Sequence, residues 1–178
     1  MGKQLESLTS KLEEFIAKQH IFFVSTAMKD GRVNVSPKGM DTFKVINANK
    51  AIWLNLTGSG NETATHIQES NRMTIMFCSF EGKPLILRLY GKAKGYHSRD
   101  PQFQEYIKCF SETAGARQIF ELDIDLVQAS CGFAVPFMDY VEERTQLRES
   151  SLKKGTEGLK AYWKEKNSIS LDGHQTHI

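Results

Sequence analysis

Phe120, Leu122, Ile124 and Leu126 alternate with Glu121, Asp123 and Asp125. A two-residue period sends the apolar side chains to one face of a strand and the carboxylates to the other, so this segment reads as a half-buried β-strand. It needs partners, and the chain supplies them at short spacing. Ile21–Ala27 is β-branched and aromatic, Lys29-Asp30-Gly31 has hairpin-turn chemistry, and Arg32–Val35 returns antiparallel. Ser36-Pro37-Lys38-Gly39 then interrupts this second strand, because Pro37 cannot donate to a ladder and Gly39 permits a bulge. Thr42–Ile46, Ala51–Leu56, Met73–Ser79 and Leu85–Tyr96 continue the series, with a bend expected at Gly91. Strands joined by hairpins, about six of them, with short helices at the crossings, predict a mainly β (β+α) fold built on a closed antiparallel barrel rather than a doubly wound sheet.

Helical spacing appears at the edges of this pattern. Leu5, Leu8, Leu12, Phe15 and Ile16 make residues 1–20 an amphipathic N-terminal helix. Asp100-Pro101 is a helix start, with Asp at the N-cap and Pro at the first position, so Pro101–Phe110 is expected to be helical. Ser130–Tyr140 is an apolar loop around Pro136, too hydrophobic to lie bare on a monomer. Val141–Lys153 and Thr156–Asn167 read as charged helices broken at Gly155, and Ser168–Ile178 as a tail without regular structure. At 178 residues the chain fits one domain: helix over 1–20, barrel over 21–130, then apolar loop, C-terminal helices and tail over 131–178.

Composition removes several classes of function. A net charge of +2, with the basic residues dispersed, gives no nucleic-acid surface. Cys78, Cys109 and Cys131 are far apart, with no Cys-x-x-Cys and no histidine at ligand spacing, so no metal site is expected and the thiols fit a reducing cytoplasm. No apolar run approaches the roughly 20 residues of a membrane span.

The best site signal lies between Ala51 and Phe77. An apolar strand runs into Thr57-Gly58-Ser59-Gly60-Asn61-Glu62-Thr63, and Ala64–Ser70 then opens as a short helix. Small residues at a helix start leave backbone N–H groups open to a phosphate or carboxylate, although the same residues also make ordinary turns. It is not a P-loop, since Gly60 is followed by Asn61-Glu62 where Lys-Ser/Thr would be, and Thr63 replaces the third glycine of a dinucleotide fingerprint. An anion here would be held by backbone amides, by Ser59, Asn61 and Thr63, and by a basic residue from elsewhere. Arg72 is open to such a role or to a surface acid, and Arg88, mid-strand in an apolar run, requires an anionic partner. Glu62 is expected to face solvent as a first-turn acid, His66 to lie at the surface or cap the helix, and Trp53 and Phe77 to be core. No Ser-His-Asp arrangement, catalytic carboxylate pair or metal cluster is present, so no catalytic residue is assigned.

With these elements placed, the sequence resembles the pyridoxamine 5′-phosphate oxidase-like superfamily, the FMN-binding split barrels. The resemblance is carried by Val33-Asn34-Val35-Ser36-Pro37-Lys38-Gly39, by Gly58–Thr63 with His66-Ile67 and Asn71-Arg72, and by Leu87-Arg88-Leu89-Tyr90-Gly91. Cys131-Gly132-Phe133 through Tyr140, Lys166-Asn167 and Ser170-Leu171-Asp172-Gly173 extend it over nearly the whole chain. It implies a six-stranded antiparallel split barrel, a homodimer and one FMN in each of two interface clefts. The implied cofactor residues are Val35, Ser36, Pro37, Lys38 and Gly39 along the flavin ring, Gly58, Ser59, Gly60, Asn61 and Thr63 toward the phosphate, and Arg72 and Arg88. Lys38 is expected near the pyrimidine edge, where a cation stabilises reduced flavin. The implied function is that of an FMN-dependent oxidoreductase acting on a small substrate. The alternatives are a flavin- or nucleotide-binding module without turnover, or a split barrel holding a deazaflavin or haem. Two departures argue against pyridoxamine 5′-phosphate as substrate: Glu62 and Thr63 replace basic residues of the oxidases' phosphate loop, and the C-terminal Arg-x-His element is missing.

Overall fold

The computed structural model describes residues 2–111 and 113–178. Its strands are β1 (Lys3–Leu5), β2 (Phe22–Thr26), β3 (Asn34–Lys38), β4 (Phe43–Asn47), β5 (Lys50–Leu56), β6 (Arg72–Cys78), β7 (Ile86–His97) and β8 (Ala116–Ser130). The helices are α1 (Ser10–Ala17), α2 (Glu62–Ser70), α3 (Pro101–Tyr106) and α4 (Gln146–Tyr162), with a 3₁₀ turn at Ile107–Cys109 and a π turn at Trp163–Asn167. All ladders are antiparallel, in the order β3-β2-β6-β7-β8-β5-β4, with β1 added to β8. The mainly β, antiparallel reading therefore stands, with eight strands in place of six.

The ends of this path, β3 and β4, follow one another in sequence, yet no ladder joins them among the described residues. Aromatic packing instead draws β4 against β2 and β6. The Phe43 ring of β4 lies 5.3 Å from Phe22 of β2 and 5.1 Å from Phe77 of β6, so the sheet curls on itself over a shared core. Val24, Ile75, Leu87, Leu89 and Leu122 fill that core, each at most 1% exposed and each worth about 1.5–3 kcal/mol on burial. On the other face of the sheet α3 covers Ile52, Leu54 and Ile119 with Phe103.

β1, the strand without a counterpart in the sequence pattern, has a physical reason. β5 accompanies β8 only as far as Asp123, which would leave the rest of that edge unpaired, and Lys3–Leu5 takes the place opposite Ala129–Val127. The helix expected over residues 1–20 is thereby confined to Ser10–Ala17, while Leu5 and Leu8 still pack on the core. β3 runs through Ser36–Lys38 rather than breaking there, with Pro37 opposite Phe23. It is an end strand, and an end strand tolerates the missing donor. Residues 141–145 lie outside any helix; α4 begins at Gln146 and bends at Gly155, whose φ of 60° marks the break the sequence places there.

Glu121 departs from the alternation. It is 3% exposed, because the Tyr106 hydroxyl donates to it at 2.5 Å and the Lys50 ammonium sits 3.1 Å away. That bond to Glu121, with burial, pushes the Tyr106 hydroxyl up to about 12. The period itself shifts at Gly91, where Tyr90 faces Leu126 and Gly91 faces Ile124, so Asp125 is bulged out. Val127, rather than Leu126, then continues the inward face, at 0% exposure. Gly91 is required there: a Cβ on it would stand 2.0 Å from the Asp123 carbonyl oxygen. Gly91→Ala is expected to cost about 1–3 kcal/mol, the range for overpacking, read as a lower urea midpoint at unchanged slope; an unaltered midpoint would show that β7 and β8 part freely at the bulge.

Candidate functional site

β5 delivers the chain into the Thr57–Asn61 turn, which is pinned from two sides. The Thr57 N–H and hydroxyl both donate to the Gly115 carbonyl at 2.8 Å, and the Trp163 indole N–H donates to the Thr57 hydroxyl at 2.8 Å. α2 starts immediately after, so its first turn opens beside the turn. Opposite stands β3, whose two-residue period presents Asn34, Ser36 and Lys38 on one face. Between these walls is a cleft of about 580 Å³, floored by Trp53 and Asn55, with Arg117 of β8 at its back. Cofactor and ligand sites run roughly 300–1,000 Å³.

Cations dominate its electrostatics. Arg117 is 4% exposed, and its Nη1 donates to two neutral oxygens, Gly60 O at 3.0 Å and Asn167 Oδ1 at 2.7 Å. Burial without a carboxylate pushes the guanidinium down to about 10. Lys38 Nζ lies 5.1 Å from the Trp53 ring centroid, and burial, reinforced by the Arg117 charge, pushes this ammonium down to about 8. A site that destabilises its own positive charges is one that an anion would relieve.

Unmet hydrogen bonding points the same way. Among the described residues, the buried side-chain atoms without a partner are Trp53 Nε1, Asn61 Nδ2, Asn61 Oδ1 and Arg117 Nε, all on residues that line this cleft. Asn61 is 2% exposed and precedes α2 without bonding the helix's first amides through its side chain. Buried polar groups are ordinarily satisfied, so a cluster of orphans on one cavity marks where a ligand's polar atoms belong.

Of the residues singled out from the sequence, Ser36, Lys38, Gly58, Ser59, Gly60, Asn61 and Thr63 come together here. Val35 points away and is 60% exposed, while Pro37 and Gly39 border a second, larger cleft beneath residues 138–147. Arg72 lines a separate surface cleft with Thr26 and Tyr90, and the Arg88 guanidinium donates to the Ser130 hydroxyl at 3.1 Å; neither lines this site. His66 is a core residue, 2% exposed and hydrogen-bonded through Nδ1 to the Thr26 hydroxyl at 3.0 Å. Glu62 turns into the cleft wall instead of to solvent, accepting the Leu171 N–H at 3.1 and 3.0 Å through its two oxygens. Arg117, Asn34, Asn55 and the tail residues Ile169–Leu171 were not foreseen, and Trp53, read as core, also faces the cleft. Arg117 had a signal: an arginine beside Gln118-Ile119-Phe120 in an apolar strand needs an anion, the argument applied above to Arg88.

Among the residues lining the cleft, no histidine, cysteine or tyrosine stands ready to move a proton; Glu62 is the one carboxylate. The arrangement is suited to holding an anion and positioning what is attached to it, not to moving a proton.

A family profile for pyridoxamine 5′-phosphate oxidase matches residues 8–131. The pyridoxamine 5′-phosphate oxidase family protein ustO of Aspergillus flavus is 38% identical over 188 aligned positions, covering 94% of this chain and 75% of that protein. A putative pyridoxamine 5′-phosphate oxidase from Lactobacillus delbrueckii superposes with a TM-score of 0.55 at 15% identity, over 69% of this chain and 94% of that one. HutZ, a haem storage protein from Vibrio cholerae, superposes with a TM-score of 0.52 at 18% identity, over 71% and 97%. These two solved structures share the fold. With its profile match, its relative and its antiparallel sheet in agreement, the chain belongs to the pyridoxamine 5′-phosphate oxidase family.

Proposed function

We propose that this protein is an FMN-binding flavoprotein that passes electrons or a hydride between flavin and a small substrate. The observation that carries the reading is the set of orphaned buried donors and acceptors on Trp53, Asn61 and Arg117 around a cleft whose two inner cations, Lys38 and Arg117, make no ion pair with a carboxylate among the described residues. FMN fits what is missing, since it brings one terminal phosphate and a planar ring with polar edges. The Gly58–Gly60 turn, Asn61 and Arg117 would hold the phosphate, and Lys38 with Trp53 would face the ring. When bound, the flavin supplies the redox chemistry, with the protein contributing position and electrostatics.

Haem suits the cleft less well, because none of its lining residues is a histidine, cysteine, methionine or tyrosine that could serve as an axial ligand. The charge balance also bears on the substrate. Bound FMN would engage Arg117 at its phosphate and Lys38 at its ring; Lys166, the third cation of the lining, is paired with Glu165 at 2.8 Å, Glu62 adds a negative charge, and Ser168–Ile178 contains no lysine or arginine. A second phosphate would lack a matching cation, so the substrate is neutral or singly charged, and pyridoxamine 5′-phosphate is disfavoured. Phe133, Phe137 and Val141 are 84%, 81% and 87% exposed, a cluster suited to burial against a second copy of the chain, and we assign a homodimer on that ground. The three free cysteines fit the reducing cytoplasm. No described helix is long and apolar enough to cross a membrane.

Purified protein should be yellow and release FMN, not FAD, on denaturation, as identified by mass spectrometry; stoichiometric FAD or haem would refute the assignment. Stopped-flow reduction by NADH or NADPH separates an oxidoreductase from a module that merely holds the flavin. Asn61→Ala and Arg117→Gln should each weaken FMN by roughly 1–3 kcal/mol, the scale of a hydrogen bond to a charged group, with Arg72→Ala as a neutral control.

FMN affinity should also fall as pH rises through about 8, where the unliganded Lys38 ammonium gives up its proton. The sign follows from linkage. The unfolded chain keeps this proton to the ordinary lysine range while the folded chain loses it near 8, so the apo protein gains stability as pH rises between those values. Binding an anion instead favours the protonated form and is strongest below 8. Titrations at pH 7 and 9 test this, and Lys38→Met should abolish the step.

With FMN loaded, pyridoxamine 5′-phosphate and oxygen should yield little pyridoxal 5′-phosphate. Turnover near ~1 per second, ordinary for an enzyme, would contradict the charge argument.

A further inference from the structure

We propose that Asn167 is a positioning residue of the cleft, fixing the Arg117 guanidinium against the Gly58–Gly60 turn, and that the C-terminal tail sets the site's anion affinity by holding Asn167 in place. Asn167 is 0% exposed, and its amide is used from both ends. Oδ1 accepts from Arg117 Nη1 at 2.7 Å, and Nδ2 donates to the Gly58 carbonyl at 3.1 Å. Since the same Arg117 nitrogen also donates to Gly60 O, Asn167, Arg117 and both ends of the turn form one closed hydrogen-bonded ring. Directed in this way, Nη1 is occupied and Nε remains without a partner. An unbranched polar side chain with one donor and one acceptor end is what the ring needs: serine is too short to span it, and aspartate cannot donate to Gly58 O.

Asn167 is placed by unusual backbone. It ends the π turn Trp163–Asn167, a conformation that is rare and concentrates at functional sites. The Thr176 hydroxyl donates to the Asn167 carbonyl at 2.5 Å, and Thr176 is itself 0% exposed. The tail around Thr176 is tied in turn to both walls of the cleft. Asp172 pairs with Arg32, in the hairpin that leads into β3, and accepts the Arg32 N–H at 2.8 Å. Glu62 and Gln68 of α2 bond Leu171 N and Thr176 O. A change in the tail is therefore passed to the guanidinium through Asn167, not through contact with the ligand.

The proposal rests on the FMN reading, and the experiment is chosen to separate the two. Three full-length variants, Asn167→Ala, Asn167→Asp and Thr176→Val, are compared with the parent by FMN titration and by the NMR signal and hydrogen exchange of the Arg117 Nε–H, assigned by its loss in Arg117→Gln. Asn167→Ala is expected to weaken FMN about tenfold or more, as for a lost hydrogen bond to a charged group, and to broaden the Arg117 signal or speed its exchange. Asn167→Asp should keep that signal sharp, since the carboxylate still accepts from Arg117. It should weaken FMN all the same and flatten the salt dependence of binding, because the guanidinium charge is now cancelled. Thr176→Val leaves the Asn167 side chain intact and is expected to weaken FMN severalfold. An Asn167→Ala protein with parental FMN affinity and an unchanged Arg117 signal would overturn the proposal, as would a sharp Arg117 signal in both Ala and Asp variants. If no variant and no parent binds FMN, the cofactor reading fails, while the Arg117 signal still decides whether Asn167 positions the guanidinium.

Discussion

The hydrogen-bonded ladder of β8 is the constraint on which the rest of the fold depends. This strand pairs with β7 along most of its length, with β5 on its other side, and with β1 where β5 ends. Its inward residues supply the centre of the core, where Phe120 stacks on Trp53 with ring centroids 5.0 Å apart. Its outward face is sealed by α3, and its first turn of residues carries Arg117 to the back of the cleft. Core, covering helix and binding site therefore share one register, and a slip of one residue would exchange them all.

The cleft is where this fold carries unfavourable electrostatics. A buried charge without a counter-ion costs several kcal/mol even after relaxation, and neutral carbonyls recover part of that at most. Arg117 is held at such a cost by Gly60 O and Asn167, and Lys38, across the cleft, is destabilised further by it. By contrast, the other buried ionised cluster is complete. Glu121 has Lys50 and the Tyr106 hydroxyl, so it explains itself as structure, and nothing remains for a ligand to supply. Comparing the two separates a functional charge from an architectural one by satisfaction alone.

Much of this was legible in the sequence because local rules and tertiary demands agree. The hairpin at Lys29-Asp30-Gly31, the strand over Ala51–Leu56, the helix start at Asp100-Pro101 and the break at Gly155 each depend on neighbours within a few residues. What was not legible depends on distant partners. Nothing in Lys3-Gln4-Leu5 announces a strand until the unpaired edge of β8 beyond Asp123 is known. Likewise the two-residue period of β8 gives no warning that the bulge opposite Gly91 moves Val127 inward in place of Leu126. The glycine turn was found from its composition and Lys38 from the resemblance, whereas the arginine was sought in Arg72 and Arg88, when sheet pairing brings Arg117 from far along the chain.

The tail shows the same limit from the other side. Ser168–Ile178 has no periodicity, so the sequence offers no element to place, yet Thr176 is fully buried and Asp172 and Leu171 are bonded to opposite walls of the cleft. Such a segment is ordered by side-chain bonds to backbone groups rather than by a repeating ladder, and its pattern is invisible to any rule based on period. Its lack of lysine and arginine then acquires meaning. Lying beside a site with surplus positive charge, the tail contributes Asp172, whose carboxyl the Arg32 N–H and guanidinium hold below the usual range, and leaves the cations to the walls alone. The cations lining the cleft, Lys38, Arg117 and the Glu165-paired Lys166, thus all come from outside the tail.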